Sequence, residues 1–307
     1  MPPIYRRVCV IGCGLIGSSV LRAARAAGAA ESYVAHDRSA EVRARVSELG
    51  LAEVADSAED AVRGADLVVI ASPPAAIGAV AGQIASALSP GATLTDVGSA
   101  KQAVLEAFEA VAPEGVFAIP GHPVAGTEQS GPDAGFAELF ANRWTILCPL
   151  PRKDAPYLEA VERLSAFWTA MGSVVELMEA RHHDLVLAVT SHLPHLIAYN
   201  IVGTAADLEE VTESEVMKFS AGGFRDFTRI AASDPVMWRD VFLLNKDAVL
   251  EILARFTEDL QALSRAIRWG EGDKLEALFT RTRAIRKGIV AAGQESAEPN
   301  FGRNRKS

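Results

Sequence analysis

Between Arg7 and Leu147, short apolar, β-branched runs recur at intervals, separated by alanine-rich stretches with helical spacing. They are VCVIG at 8–12, YVAHD at 33–37, LVVIA at 67–71, ATLTD at 92–96, VFAIP at 116–120 and WTILC at 144–148. Strands that are apolar on both faces and alternate with helices form parallel sheets covered on both sides. The pattern predicts an α/β domain with a parallel sheet over residues 1–150. After Pro149 the texture changes. Apart from SVVEL at 173–177, strand-like runs cease and helical spacing prevails to about Ala291. A second, mainly α-helical domain is expected over 151–292, with a polar, frayed tail over 293–307. Within the helical half, 180–205 is apolar nearly all round, the mark of a central helix buried against other helices or a second subunit. Pro194 removes a backbone donor and should bend or loosen that helix beside His192 and His195. A further long helix is expected over 235–268, with Asp234 as N-cap and Pro235 in the first helical position, and a last one over about 272–290.

Composition narrows the classes. A chain of 307 residues suggests two domains, and 49% apolar with 22% charged residues is an ordinary globular balance. Lys and Arg total 30 against 39 Asp and Glu, a net charge of −9. No general cationic surface is on offer to a nucleic-acid backbone or an anionic membrane, so an anionic ligand must be held by local groups. Three cysteines, Cys9, Cys13 and Cys148, suit neither a disulfide framework nor a zinc site, and a reducing cytoplasm is the simplest compartment. Neither an export signal nor a membrane span is expected.

Gly12, Gly14 and Gly17 make a G-x-G-x-x-G turn between the first strand and the first helix, which points to a Rossmann-type dinucleotide-binding domain over 1–150. Gly12 permits the tight turn, Gly14 leaves room for a pyrophosphate, and Gly17 lets the helix approach the sheet. Leu15 and Ile16 lie between them as further cofactor contacts. Asp37 ends the next strand, where its carboxylate can accept from ribose hydroxyls and would repel a 2′-phosphate. NAD is therefore favoured. Arg38 beside it leaves some use of NADP open, or is merely solvated. Ser72, Pro73 and Ser99 follow apolar strands, at the carboxyl edge where such sheets form their ligand crevice. Ser99 either touches nicotinamide and substrate or caps the following helix, with Gln102 three residues on.

The segment 119–135 holds too many glycines and prolines for a helix or strand interior, so His122 is expected on an ordered loop at the sheet edge. A neutral imidazole there could accept a hydroxyl proton during hydride transfer, or simply tie down the loop. His192 reads as a packing or hydrogen-bonded residue, while His195 is open between packing and ligand contact. His182 and His183 lie more than two turns away, and the spacing gives no compact metal-ligand set. Arg225 and Arg229, four apart after Gly222 and Gly223, could receive an anion; alternatively they are ion-paired surface residues, with Asp226 orienting one of them.

Read together, GCGLIGSS (12–19), DVGSAK (96–101), GHPVAGTE (121–128), SHLPH (191–195) and GGFRDFTRIAASDPVMW (222–238) resemble the prephenate dehydrogenase family, including arogenate and cyclohexadienyl dehydrogenases. The resemblance implies oxidative decarboxylation of arogenate and/or prephenate in tyrosine biosynthesis, a helical domain over 151–292 that serves substrate binding and dimerisation, a homodimer, and inhibition by tyrosine. It makes His122 the proton acceptor and Ser99 a contact to the substrate hydroxyl and nicotinamide. His195 and Ser191 would hold substrate, Arg229 would grip the ring carboxylate, and Glu128 would set polarity around the side chain. Trp238 and Asp226 would support the substrate mouth. Arg225 is less securely carried over. Two other readings compete: a β-hydroxyacid dehydrogenase acting on an aliphatic hydroxy acid, and a non-enzymatic NAD-binding sensor.

Overall fold

The computed structural model describes residues 2–127, 129–209 and 222–291. The chain divides into two compact units, Met1–Leu250 and Glu251–Ser307. In the first, strands β1 (Tyr5–Ile11), β2 (Ala30–His36), β3 (Glu53–Val54), β4 (Leu67–Ile70), β5 (Thr93–Asp96) and β6 (Phe117–Ala118) form one sheet in the order 3-2-1-4-5-6. Every pairing is parallel. This is the doubly wound α/β arrangement, whose ligand crevice lies outside the carboxyl ends of the strands. The expected Rossmann-type fold is present.

The two-residue period of the strands splits their side chains between two cores. Val8, Val10, Leu67 and Val69 face one, which also takes Val20, Leu21 and Ala24 of α1 (Leu15–Ala26) and Val46 of α2 (Ala40–Glu48). Cys9, Ile11, Val68 and Ile70 face the other, against α3 (Ala58–Val62), α4 (Ile77–Ile84) and α5 (Gln102–Val111). α6 (Ala155–Ala170) adds Tyr157, Leu164, Phe167 and Trp168 to the first core. There Tyr5 meets Phe167 edge-on at 5.7 Å and Phe140 meets Trp168 at 5.3 Å.

The segments after β6 depart from expectation. WTILC does not extend the parallel sheet: β7 (Gly121–Pro123), β8 (Trp144–Leu147) and β9 (Val174–Leu177) form a separate three-stranded sheet, with β7 antiparallel and β9 parallel to β8. His122 accordingly lies in a short strand, opposite Ile146, and not in a loop. β6 is only two residues long, and Pro120, which has no amide to donate, ends it and redirects the chain. A three-residue edge strand tolerates the flanking prolines that a central strand would not.

The helical region begins with α7 (Ala180–Leu187), a π turn at Ala188–His192, and α8 (Leu193–Glu209). The loosening expected near Pro194 is this π turn, directly before it. By length and composition Ala180–Leu208 would suffice to cross a membrane. Of its apolar window 28% is buried within the chain, and His183, Asp184 and His192 are among its buried residues. Next come α9 (Gly222–Thr228), α10 (Pro235–Leu244), α11 (Lys246–Arg268) and α12 (Gly272–Ala291). Asp234 caps α10, accepting from the Met237 amide at 2.8 Å, with Pro235 opening the helix. The single helix expected over 235–268 is broken at Asn245 (φ −107°, ψ 30°), whose side chain is engaged elsewhere. The polar tail lies outside the described residues.

The glycine turn generates a contrast that can be measured. A Cβ on Gly17 would sit 1.9 Å from the Gly12 carbonyl oxygen, whereas one on Gly14 would meet nothing within 4 Å. Gly17→Ala should cost roughly 1–3 kcal/mol in urea unfolding, as overpacking does. Gly14→Ala should cost under about 1 kcal/mol, the scale of an N-cap change. Equal costs would reject this account of the turn.

Candidate active site

The glycine turn has the features of a dinucleotide cradle. Gly12 holds φ +93°, and a Cβ there would lie 2.5 Å from the Ala71 carbonyl oxygen. Gly14 is the N-cap of α1 without a capping side chain and borders open space, so the first amides of that helix face a gap fit for an anion. Leu15 is buried and Ile16 half-buried behind it. Asp37 is pinned beside the turn: its Oδ2 accepts the Cys13 amide at 2.8 Å and its Oδ1 the Ser39 amide at 2.9 Å. A carboxylate has further acceptor directions for ribose hydroxyls. Arg38 is exposed. Ser72 follows β4 with its hydroxyl buried and without a partner, and Pro73 beside it is exposed. The residues present thus fit a dinucleotide.

A buried ionic knot lies at the end of β5. Lys101 and Asp96 are both fully buried and paired at 2.5 Å. Lys101 Nζ also donates to the Gly121 carbonyl at 2.8 Å, while Asp96 accepts the amides of Gly98 at 2.8 Å and Gly121 at 3.1 Å. Burial pushes the Asp96 carboxyl up from its ordinary range, and the ammonium and the two amides pull it back. The knot fixes the backbone one residue before His122. His122 is itself buried, with Nδ1 2.9 Å from His183 Nε2; His183 Nδ1 lies 2.8 Å from Asp184 Oδ1. Asp184 also accepts the amides of Lys101 at 2.7 Å and Gln102 at 2.9 Å, so it caps α5 from another segment. Ser99, half-buried after β5, is therefore not the cap; the N-cap position is Lys101, whose own side chain does not cap. Burial, reinforced by His183, Lys101 and His192, holds the His122 imidazole well below the usual histidine range. It is neutral, and competent as a base, near pH 7.

The helical segments add a second group. His192 is buried; its Nδ1 takes a hydrogen bond from Asn245 Nδ2 at 3.0 Å, and its Nε2 has no partner. Asn245 Nδ2 also donates to the Asp184 carbonyl at 2.8 Å. Burial pushes His192 down to about 4, against the opposing influence of Asp184 and the Ser99 backbone. His195 donates from Nδ1 to the Ser191 carbonyl at 2.8 Å and stacks on buried Trp238 at 3.6 Å and 23°. Trp238 also meets His192 at 6.0 Å. Arg229 is exposed and close enough to help burial lower His195. Tyr199 donates to the Ser233 carbonyl at 2.7 Å, tying α8 to the start of α10.

The structure thus gathers Ser99, His122, His192, His195, Ser191, Trp238 and Arg229 through successive neighbours. Arg225 and Asp226 pair with each other at 3.6 Å, both largely exposed, as the surface alternative for Arg225 anticipated. Glu128 lies outside the described residues. Sequence reasoning passed over His183, Asp184, Lys101, Asp96 and Asn245. An acidic residue closing a predicted strand, with a lysine five positions on, was the available signal for Asp96 and Lys101. His183 and Asp184 looked remote because only His-to-His spacing along their own helix was considered. Among the described residues no group of three or more His, Cys, Asp or Glu could hold a metal ion.

A Rossmann-type nucleotide fold with a neutral histidine at its carboxyl edge defines the class: a two-part, dinucleotide-dependent oxidoreductase. Family profiles described as the prephenate dehydrogenase nucleotide-binding domain and dimerization domain match residues 20–177 and 179–281. The chain is 41% identical to a cyclohexadienyl dehydrogenase of Zymomonas mobilis over 92% of this chain and 96% of that protein. The structure of prephenate dehydrogenase from Aquifex aeolicus in complex with hydroxyphenyl propionate and NAD+ is similar, with a TM-score of 0.84 at 33% identity, covering 92% of this chain and 98% of that one. The arogenate dehydrogenase of Synechocystis gives a TM-score of 0.79 at 25% identity, covering 92% and 99%. The chain belongs to the prephenate dehydrogenase family.

The buried histidines couple stability to pH. His122, His183 and His192 all sit below the usual value near 6.5, chiefly through burial. The unfolded chain therefore binds more protons as pH falls below 6.5. Stability is fully present above that value and is lost as pH falls towards about 4, the value for His192. That one group contributes about 3 kcal/mol across the window. Urea midpoints should fall between pH 7 and 4.5, and His192→Asn should flatten the slope. An unchanged slope in that variant would reject the assignment.

Proposed function

We propose that this chain catalyses oxidative decarboxylation of arogenate, prephenate or both, with NAD as the preferred coenzyme, to give tyrosine or 4-hydroxyphenylpyruvate. The observation that carries the reading is the buried, neutral imidazole of His122 at the carboxyl edge of the nucleotide sheet, in a chain of this family. Gly12, Gly14, Leu15, Ile16, Gly17, Asp37, Ser72 and Pro73 would hold the dinucleotide. When bound, its nicotinamide supplies the oxidising power, accepting the hydride lost from the substrate's C4.

His122 accepts the C4 hydroxyl proton, so that the oxygen's electron pair becomes available to form the carbonyl as hydride departs. The ring carboxylate then leaves as carbon dioxide, its bonding pair entering the ring, and the product is aromatic. Ser99, which the helix does not use as a cap, offers its hydroxyl to the substrate oxygen. Arg229 orients the ring carboxylate; too strong a grip would oppose its departure, so its contribution is alignment and charge discrimination. His195 and Ser191 would hold the substrate, Glu128 would set polarity around its side chain, and Trp238 and Asp226 would support the substrate mouth. For the coenzyme, the Asp37 carboxylate favours ribose hydroxyls over a 2′-phosphate, and Arg38 projects to solvent.

The test is a two-by-two comparison of prephenate and arogenate with NAD and NADP, with tyrosine then added to read product inhibition. Coenzyme reduction with carbon dioxide release is expected with NAD. Activity restricted to aliphatic hydroxy acids would instead select a β-hydroxyacid dehydrogenase, and coenzyme binding without turnover a sensor. In the same assay His122→Asn should lower kcat by about 100-fold or more, with coenzyme affinity retained. Near-normal turnover would remove His122 from the mechanism.

We also propose a homodimer. Helices of the second unit leave Leu260, Ile267, Trp269, Phe279 and Ile285 exposed, Trp269 at 74%, an apolar load that isolated surface helices rarely carry. Sedimentation should give twice the 32.6 kDa chain mass. A single-chain mass at working concentration would reject the dimer.

A further inference from the structure

The proton positions in the chain from His122 to Asp184 follow from its far end. The Asp184 carboxylate already accepts two backbone N–H groups at the N-terminus of α5, where negative charge is favoured. It serves as an acceptor, so the hydrogen in the 2.8 Å contact belongs to His183 Nδ1. A neutral His183 then carries its lone pair on Nε2. The 2.9 Å contact to His122 requires a donor from the other side, so His122 is protonated on Nδ1 and bare on Nε2. One carboxylate thereby sets the tautomer of a ring two residues removed from it in space.

We propose that His183, oriented by Asp184, is a positioning residue for the reaction: it fixes His122 in the tautomer whose Nε2 is the base, and it links that ring to the Asp184 carboxylate, the counter-charge for the proton His122 gains. The proposal rests on the reading of His122 as proton acceptor.

The surroundings give this arrangement something to do. The groups acting on His122 are His183, Lys101 and His192, and with burial they all oppose a charge on it. Around His183 stand Asp184, Asp96 and Lys101, and the two carboxylates favour its charged form. The counter-charge to a protonated His122 is therefore reached through the second ring. Asp184 is held at both ends, its carboxylate by the α5 amides and its carbonyl by Asn245, so it can impose an orientation. A ring present only for packing would need neither the aligned nitrogens nor the carboxylate behind them.

His183→Leu removes the acceptor, while His183→Gln can still accept from His122 Nδ1 but breaks the imidazole link to Asp184. With the leucine variant kcat should fall by about 100-fold; with glutamine it should recover to within about 10-fold of the parent. KM and coenzyme affinity should stay within about threefold in both. The acid limb of the glutamine variant's kcat profile should move to lower pH, because the imidazole link from His122 to the Asp184 carboxylate is broken. Unchanged kcat and an unmoved acid limb would overturn the proposal. So would equal loss in both variants accompanied by lost coenzyme binding. Nitrogen-15 NMR of the histidine-labelled parent protein reads the tautomer without turnover and without any variant having to fold. Protonated Nδ1 and bare Nε2 on His122 are expected, and the opposite tautomer overturns the proposal. A parent protein inactive on both prephenate and arogenate would instead sink the activity reading, with the tautomer still decided by the NMR spectrum.

Discussion

The contact on which the site depends is the buried ion pair between Lys101 and Asp96. It joins three things that the chain delivers separately: the end of β5, the strand carrying His122, and, through the Lys101 amide, the Asp184 carboxylate of α7. Burying two charges carries a desolvation cost that their attraction offsets only when the remaining donors and acceptors are also satisfied. Here Asp96 has two backbone amides besides the ammonium, and Lys101 has a backbone carbonyl. An apolar pair of the same volume could pack as well, but it could not dictate where the Gly121 backbone must lie. The pair is better understood as a fixing of position than as a source of stability.

Charge balance near His122 follows from the same contact. The lysine sits close enough to disfavour a proton on His122 and His183, and burial acts in the same direction. The resting rings are thus neutral, which a proton acceptor requires. The carboxylates of Asp184 and Asp96 offset the lysine at His183. A site that keeps its base empty at rest and still tolerates the proton during turnover needs both influences, placed at different distances from the ring. The Lys101 ammonium and the Asp184 carboxylate, acting on His183 in opposite senses, provide that.

Much of the fold was legible because its constraints are local. The three glycines form a motif six residues long, although the backbone that crowds Gly12 is that of Ala71, and the alternation of apolar runs with helices is a period that no tertiary contact has to supply. The same holds for Asp234 and Pro235 at the start of α10. The small second sheet was not legible, since a three-residue strand such as Gly121–Pro123 shows no period and its prolines argue against it. Of the site, the loop motifs pointed to His122 and Ser99 at the sheet edge and to the neighbourhood of His195, Trp238 and Arg229. The partners that set their chemistry stayed hidden. Lys101 and Asp184 meet across 83 positions, and His122 and His183 across 61; neither separation leaves a mark in the residues between.

The two irregularities in the helical region, each of which looks like a defect alone, meet at one side chain. The π turn at Ala188–His192 departs from regular helix just before Pro194, and the break at Asn245 ends α10 with no glycine or proline to require it. Asn245 spans them, donating to the Asp184 carbonyl of α7 and to His192 at the end of the π turn. A continuous helix through 245 would keep this amide on a regular helical surface. The break turns it into the buried strut that sets His192 against Trp238, which in turn stacks on His195. π turns concentrate at functional sites because the extra residue re-aims the side chains that follow. Here the re-aimed side chains are the two histidines of SHLPH, and the helix that holds them in place is the one that had to be interrupted to do so.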